Sequence, residues 1–305
     1  MYYISDLWNL DIVGHCDIDF IDIDVEGDRK LFLDPCRIKT SRSPIATRCL
    51  DTLDSFFGVF FHAYAAGDVL LQRRVLAHAR EQNCTHLGYG YPGKGNTTAG
   101  LSVKFSKLPE LIRRVRTIST PEDLPVFLTD FAEDGLSDLI TNILHDELND
   151  FSLAEMEYYG IRPNGETTYY NWDPTTEDWV LVTKPCYLYN SKPIMLVPKD
   201  FVRTHYLFST DQYFKRVVMN HIRAEGGGIG ADGRLIPKSE YYKHIPRETP
   251  DWLYKKALEY SELHPELLLE YHQLLPGFYM DNDDWMTDDR LDQVVYRNQS
   301  DAYAF

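Results

Sequence analysis

Cysteine, long apolar runs and positive charge are all scarce in this chain of 305 residues. The five cysteines, Cys16, Cys36, Cys49, Cys84 and Cys186, are odd in number and never form a CxxC. That excludes a disulfide framework and a zinc knuckle, and it suits a reduced, cytoplasmic protein. No stretch approaches the roughly 18 consecutive apolar residues of a membrane span, so no membrane partner is expected. The opening MYYISDLWNLDIVGH lacks a basic segment followed by an apolar one, so no signal peptide is expected. Bases number 31 against 47 acids, for a formal charge of -16. With 44% hydrophobic and 26% charged residues, the composition is that of a globular chain and not a disordered one.

The charge is segregated along the chain. Residues 1–34, 118–180 and 248–305 are acidic, with net charges of -7, -14 and -9. Residues 35–117 and 181–247 are basic, at +8 and +6. Either the two basic blocks converge on one electropositive face that could meet nucleic acid, or neighbouring blocks neutralise each other in the fold. The first alternative draws on Lys94, Arg113, Arg114, Arg116, Arg203 and Arg216.

The elements do not alternate regularly, which predicts an α+β fold and not a doubly wound sheet. Asp17–Val25 alternates apolar and acidic residues, Glu26-Gly27 resembles a turn, and Lys30–Leu33 reads as a return strand. Together these predict an acidic N-terminal β-hairpin. Ser43-Pro44 opens a helix whose wide apolar arc, through Leu53, Phe56, Phe57 and Phe60 to Tyr64, predicts a central buried element. A second helical stretch near 135–150 turns Leu139 and Ile143 inward and leaves Asp138, Asn142, His145 and Asn149 on its other side. A second β region follows over 166–198, with Leu196 in the core, and then C-terminal helices. A single core is expected over 1–280, with a candidate seam at 160–165, and an acidic tail over 281–305.

Three constellations carry candidate chemistry. If Glu26-Gly27 closes a two-residue turn, Asp19 faces Asp34, and opposed carboxylates repel unless a cation lies between them. The alternative is an edge hairpin guarded by its acids. Gly88-Tyr-Gly-Tyr-Pro-Gly93-Lys94-Gly95 satisfies G-x-x-x-x-G-K, but Gly95 stands where Ser or Thr would bind magnesium. Val126–Asp130 imitates the strand that accompanies such a loop. Backbone amides of this loop and Lys94 could still cradle a phosphate. Finally, Arg73/His78 and Arg216/His221 repeat an Arg-x4-His spacing, which ordinary helix-surface histidines explain equally well.

Four fragments, Asp28-x-x-Leu-Phe-Leu-Asp34-Pro35, Leu87-Gly-Tyr89…Gly93-Lys94-Gly95, Leu136-Ser-Asp138-x-x-Thr-Asn142-Ile and Lys192-Pro-Ile-Met-Leu-Val-Pro-Lys199, lie in order along the chain. In them it resembles a family of uncharacterised bacterial proteins met near phage-defence and mobile-element genes. The resemblance singles out Asp34 at a strand end, Asp138 near a helix start and Lys199 past another strand. Two acids holding Mg or Mn, with a lysine orienting the attacking water, form the minimal site of a metal-dependent nuclease. The expected activity is therefore a metal-dependent nuclease or phosphodiesterase, in the context the resemblance implies an antiphage effector. The alternative is a non-enzymatic interaction or sensor subunit of a larger defence complex, which the 13% aromatic content would suit.

Overall fold

A computed structural model describes residues 2–80, 83–89, 97–230, 232–247, 249–281 and 286–296. The chain is α+β, with helices around two small antiparallel sheets. Its first half runs α1 (Ile4–Trp8), β1 (Phe32–Leu33), α2 (Pro35–Thr40), α3 (Ala46–Ala66), α4 (Val69–Leu76), α5 (Thr98–Lys104), α6 (Leu108–Arg114), α7 (Asp123–Phe127), α8 (Glu133–Ile143) and α9 (His145–Tyr158). Then come β2 (Gly165–Asp173), β3 (Asp178–Tyr189), β4 (Lys192–Ile194) and β5 (Val202–Arg203). The C-terminal part is α10 (Thr210–Tyr213), α11 (Met219–Glu225), α12 (Lys238–Lys243), α13 (Trp252–Leu263), α14 (Glu266–Asp281) and α15 (Asp288–Tyr296).

α3 is the central post its wide apolar arc predicts. Leu53, Phe56, Phe57 and Phe60 are buried, as are Leu139, Ile143 and Leu196 on the elements around it. Phe56 meets Trp172 edge-on at 5.1 Å, and Phe60 meets Phe105, which in turn packs on Phe131. Each such ring contributes roughly 1.5–3 kcal/mol by leaving water. The helix stops at Gly67, whose positive φ of 67° ends it in the left-handed conformation. β2 and β3 form a long hairpin with Trp172 opposite Trp179. Both indole N–H groups are bonded, Trp172 to Ser55 Oγ and Trp179 to the Val75 carbonyl, so the rings bury without an orphan donor. One continuous apolar cluster runs from Ile4 to Val295 and includes residues on both sides of 160–165.

The N-terminal hairpin does not form. Residues 18–25 run through the interior, bridged by Tyr3↔Asp24 on one side and Phe20↔Pro198 on the other. Further on, Arg29 bridges Leu87, and β1 pairs with β5, Phe32 opposite Arg203. The alternation misleads because both faces are covered: Ile18, Phe20, Ile21, Ile23 and Val25 are all buried, and so are Asp22 and Asp24. Asp22 accepts from Ser5 N and Oγ, and Asp24 pairs with Arg29 at 2.8 Å. Asp19 stays exposed and does not face Asp34.

Two further expectations change. Val126 falls in α7, so the segment is no strand. The polar side of α8 and α9 is not solvated: Asn142, His145 and Asn149 are each about 1% exposed and lie beneath the β2–β3 hairpin, where Asn149 Nδ2 donates to the Pro185 carbonyl. Within the expected acidic tail, 286–296 carries α15, and its Leu291 and Val295 are buried.

Candidate functional site

β1 ends at Asp34, and the sequence there explains its geometry. Pro35 supplies the first residue of α2, and Asp34 caps that helix by accepting the Cys36 N–H at 2.9 Å. The Asp34 N–H is held by the Phe201 carbonyl, in the short helical turn just before β5. One residue earlier, Leu33 N–H donates to Ser137 Oγ of α8 at 3.0 Å, and Leu33 O accepts from Tyr206 Oη at 2.6 Å. The Ser137 bond docks the second turn of α8 on β1 and so brings Asp138 to this corner. Both Asp34 and Asp138 act electrostatically on Tyr206, as do Glu133 and Asp134 from the first turn of α8.

Asp34 is fully buried. Its second oxygen accepts from Tyr279 Oη, on α14, at 2.5 Å. Two buried arginines act on Asp34, Arg37 and Arg203, the latter 2% exposed with its guanidinium 5.3 Å from the centre of the Tyr279 ring. Burial pushes the Asp34 carboxyl up to about 7, against the opposing pull of the Tyr279 hydroxyl, the Cys36 amide and Arg203. Burial, then the charge of Asp34, hold the Tyr279 hydroxyl well above its usual range. The corner therefore combines a carboxyl that exchanges its proton near neutrality, further acids with hard oxygen donors, and a buried arginine. Oxygen donors of this kind suit Mg or Mn.

The glycine-rich loop enters the same corner. Tyr89 donates from Oη to Glu133 and from its N–H to Asp134, and a Cβ at Gly88, with φ of 130°, would lie 2.8 Å from Asp134 Oδ1. The positive φ favours glycine there, and a side chain would also push the Asp134 carboxylate aside. Gly93, Lys94 and Gly95 lie outside the described residues.

Lys199 is placed elsewhere. Its Nζ donates to the His15 carbonyl at 2.7 Å and pairs with Asp288 of α15 at 3.0 Å. Of the three residues expected to share a site, the structure brings Asp34 and Asp138 to one neighbourhood and ties the Lys199 ammonium to the C-terminal helix. Arg203, Tyr206 and Tyr279 complete the corner and were not anticipated as its parts. A signal for the first two exists: Phe201-Val-Arg-Thr-His-Tyr-Leu-Phe208 sets an arginine and a tyrosine in an apolar run, as buried polar groups do. Of the expected electropositive residues, Arg203 is buried and Arg216 stacks 4.1 Å from the centre of the Phe278 ring. Lys94 lies outside the described residues, while Arg113, Arg114 and Arg116 line one open cleft of about 690 Å³ with Glu110 and Glu262.

An α+β core with a closed acid–arginine–tyrosine corner is the class of protein these features define. Residues 11–209 match the family described as a domain of unknown function, DUF8370, and the chain belongs to that family. Asp34, Asp138, Lys199, Arg203 and Tyr206 fall inside the matched span, whereas Tyr279 and Asp288 fall outside it. No curated protein and no solved structure matches the chain. Among the described residues no helix is long and apolar enough to cross a membrane.

Proposed function

We propose that the chain is a metal-dependent phosphodiester hydrolase, a nuclease in the setting its resemblance implies, whose Asp34 and Asp138 hold one Mg or Mn ion. The carrying observation is the buried Asp34 carboxyl beside Arg203, in the neighbourhood that Tyr206 shares with Asp138. A buried carboxyl with a displaced proton affinity and a specific charge partner is the mark of a reactive site. With Lys199 placed elsewhere, no lysine orients the attacking water, and Arg203 presents positive charge to a phosphate oxygen as negative charge develops there. Tyr279 occupies the second oxygen of Asp34, so the arrangement is a latent one, and substrate access requires α14 to withdraw from the corner. Single or double strands would approach along the Arg113/Arg116 cleft, with affinity falling as salt rises because binding releases counterions.

The test is cleavage of single- and double-stranded DNA and RNA with Mg²⁺ or Mn²⁺ by the wild type, Asp34→Asn and Asp138→Asn. Wild-type cleavage that falls about a thousandfold in both variants, with circular dichroism unchanged, is expected for metal ligands. Full activity in either variant overturns the site. A wild type inert on every substrate favours the second reading, a partner-binding subunit. That reading draws on the open face of the β2–β3 hairpin, where Tyr170 pairs with a largely exposed Leu181.

A further inference from the structure

At the opposite end of α14 from its Asp34 contact, the C-terminal helices gather two histidines and a glutamate that the hydrolase reading does not use. α11 carries His221 and Glu225 one turn apart, so both project from the same face. The turn between α13 and α14 supplies His264, followed by Pro265 and Glu266. His221 Nε2 lies 3.3 Å and His264 Nε2 3.8 Å from the same oxygen, Oε1 of Glu225. The three ligand atoms all lie within 4.8 Å of one another.

An array of surface ion pairs explains this arrangement poorly. An ion pair from each histidine to that one oxygen would need two imidazolium rings, whose centres are only 4.2 Å apart. Two imidazoliums so close repel each other. Nor is the His221 contact a hydrogen bond: its Nε2 is buried and makes none. A cation between the three groups resolves both difficulties, since neutral imidazoles then turn their lone pairs inward. The two separations from Glu225, 3.3 and 3.8 Å, fit. Zinc bonds of about 2.0–2.1 Å set neighbouring tetrahedral ligands about 3.4 Å apart.

We propose that His221, Glu225 and His264 form a site for a borderline transition-metal ion of the zinc class. Glu266 Oε1 lies 3.3 Å from His264 Nδ1. With the ring turned onto the metal, Glu266 accepts a hydrogen bond from Nδ1–H, which fixes the tautomer and frees Nε2 for the metal, the usual second partner of a metal-bound imidazole. With three protein ligands, side chains 24%, 50% and 29% exposed for His221, Glu225 and His264, the fourth position opens to solvent. The ion braces α11 against the start of α14. The site lies outside the family-matched span and stands independently of the hydrolase reading.

The experiment is calorimetric titration of the metal-free full chain with Zn²⁺, together with its thermal melting. One equivalent should bind and raise the melting temperature, as any ligand of the folded state does. His221→Ala and His264→Ala should abolish both effects. Glu225→Gln, a half-exposed and isosteric change that preserves the fold, should weaken binding at least tenfold, and Glu266→Gln by about 10–100-fold through His264. Absence of saturable binding in the wild type overturns the site, and so does equal affinity in Glu225→Gln.

Discussion

Asp34 and Asp22 are two buried carboxylates in the N-terminal half, each covered by a tyrosine from the C-terminal helices, and they are not equivalent. Asp22 accepts Ser5 N–H at 2.9 Å, Ser5 Oγ at 2.6 Å and Tyr296 Oη at 3.0 Å, with its own N–H donating to His15 Nε2. His15 is itself held by Asp292 on α15. These bonds saturate the carboxylate and tie α1 to α15. Asp34 accepts the Cys36 amide and the Tyr279 hydroxyl, and it adds a buried arginine and further acids nearby. Burial raises both carboxyls, Asp34 to about 7. A saturated carboxylate serves the fold. A carboxyl left with two donors, with Glu122 as a like charge and the buried Arg203 and Arg37 as cations acting on it, is the arrangement that chemistry uses.

The comparison is most exposed in the cleavage assay. Asp34→Asn should cost about a thousandfold in rate, whereas Asp22→Asn should leave the rate within about threefold. Asp22→Asn should instead lose roughly 1–3 kcal/mol of stability, read by urea unfolding, because its new N–H₂ confronts donors. A large rate loss in Asp22→Asn would erase the distinction.

Next in size is the pH dependence of stability. Asp34 binds its proton more tightly folded than unfolded, so its contribution is fully present below about 4 and is lost as pH rises through about 7. Across that window the loss amounts to roughly 4 kcal/mol at most. Asp34→Asn should therefore flatten the profile between pH 5 and 8 and be the more stable protein at pH 8. A variant that keeps the wild-type slope would show that Asp34 does not hold the proton.

His145 should show the opposite sign. It is buried against the Tyr169 ring, with both ring nitrogens unbonded, and burial lowers it to about 4. Its stabilising contribution is present above its unfolded value near 6.5 and is lost as pH falls through about 4, on the order of 3 kcal/mol. His145→Phe, which keeps the stack, should remove that acid-side loss in urea unfolding at pH 4 and 7. Persistence of the loss would move its origin to another group.

The smallest effects separate the two tyrosines. Tyr279→Phe should cost about 2 kcal/mol at pH 8, where it strips a donor from an ionised buried carboxylate, and about half that at pH 5. Tyr296→Phe should cost about 0.5–1 kcal/mol, because Asp22 keeps both Ser5 donors. Equal costs for the two, measured by urea unfolding, would mean that Asp34 is as well supplied as Asp22.

Much of the fold was legible where periodicity and environment agree. The apolar arc of α3 needed a buried helix, and the second β region over 166–198 holds the β2–β3 hairpin; both are present. Residues 17–33 misled because alternation reports which way side chains face but not what covers each face, and over 20–25 both faces are covered. The stripe through Asn142, His145 and Asn149 misled for the same reason, its polar residues lying beneath a hairpin. Of the candidate site, Asp34 was visible as a polar residue at an element end, whereas Asp138, expected near a helix start, sits mid-way along α8. Tyr279 was not, since it reaches Asp34 across 245 positions and no local pattern records so distant a pairing.

The most direct test is Mg²⁺ binding by calorimetry at pH 8, where Asp34 is ionised. Mg²⁺, a hard ion that avoids imidazole, leaves the histidine site of α11 silent. The wild type and Asp22→Asn should bind one ion with equal affinity, and Asp34→Asn should lose at least thirtyfold. Equal Mg²⁺ affinity in Asp34→Asn and the wild type would contradict the account.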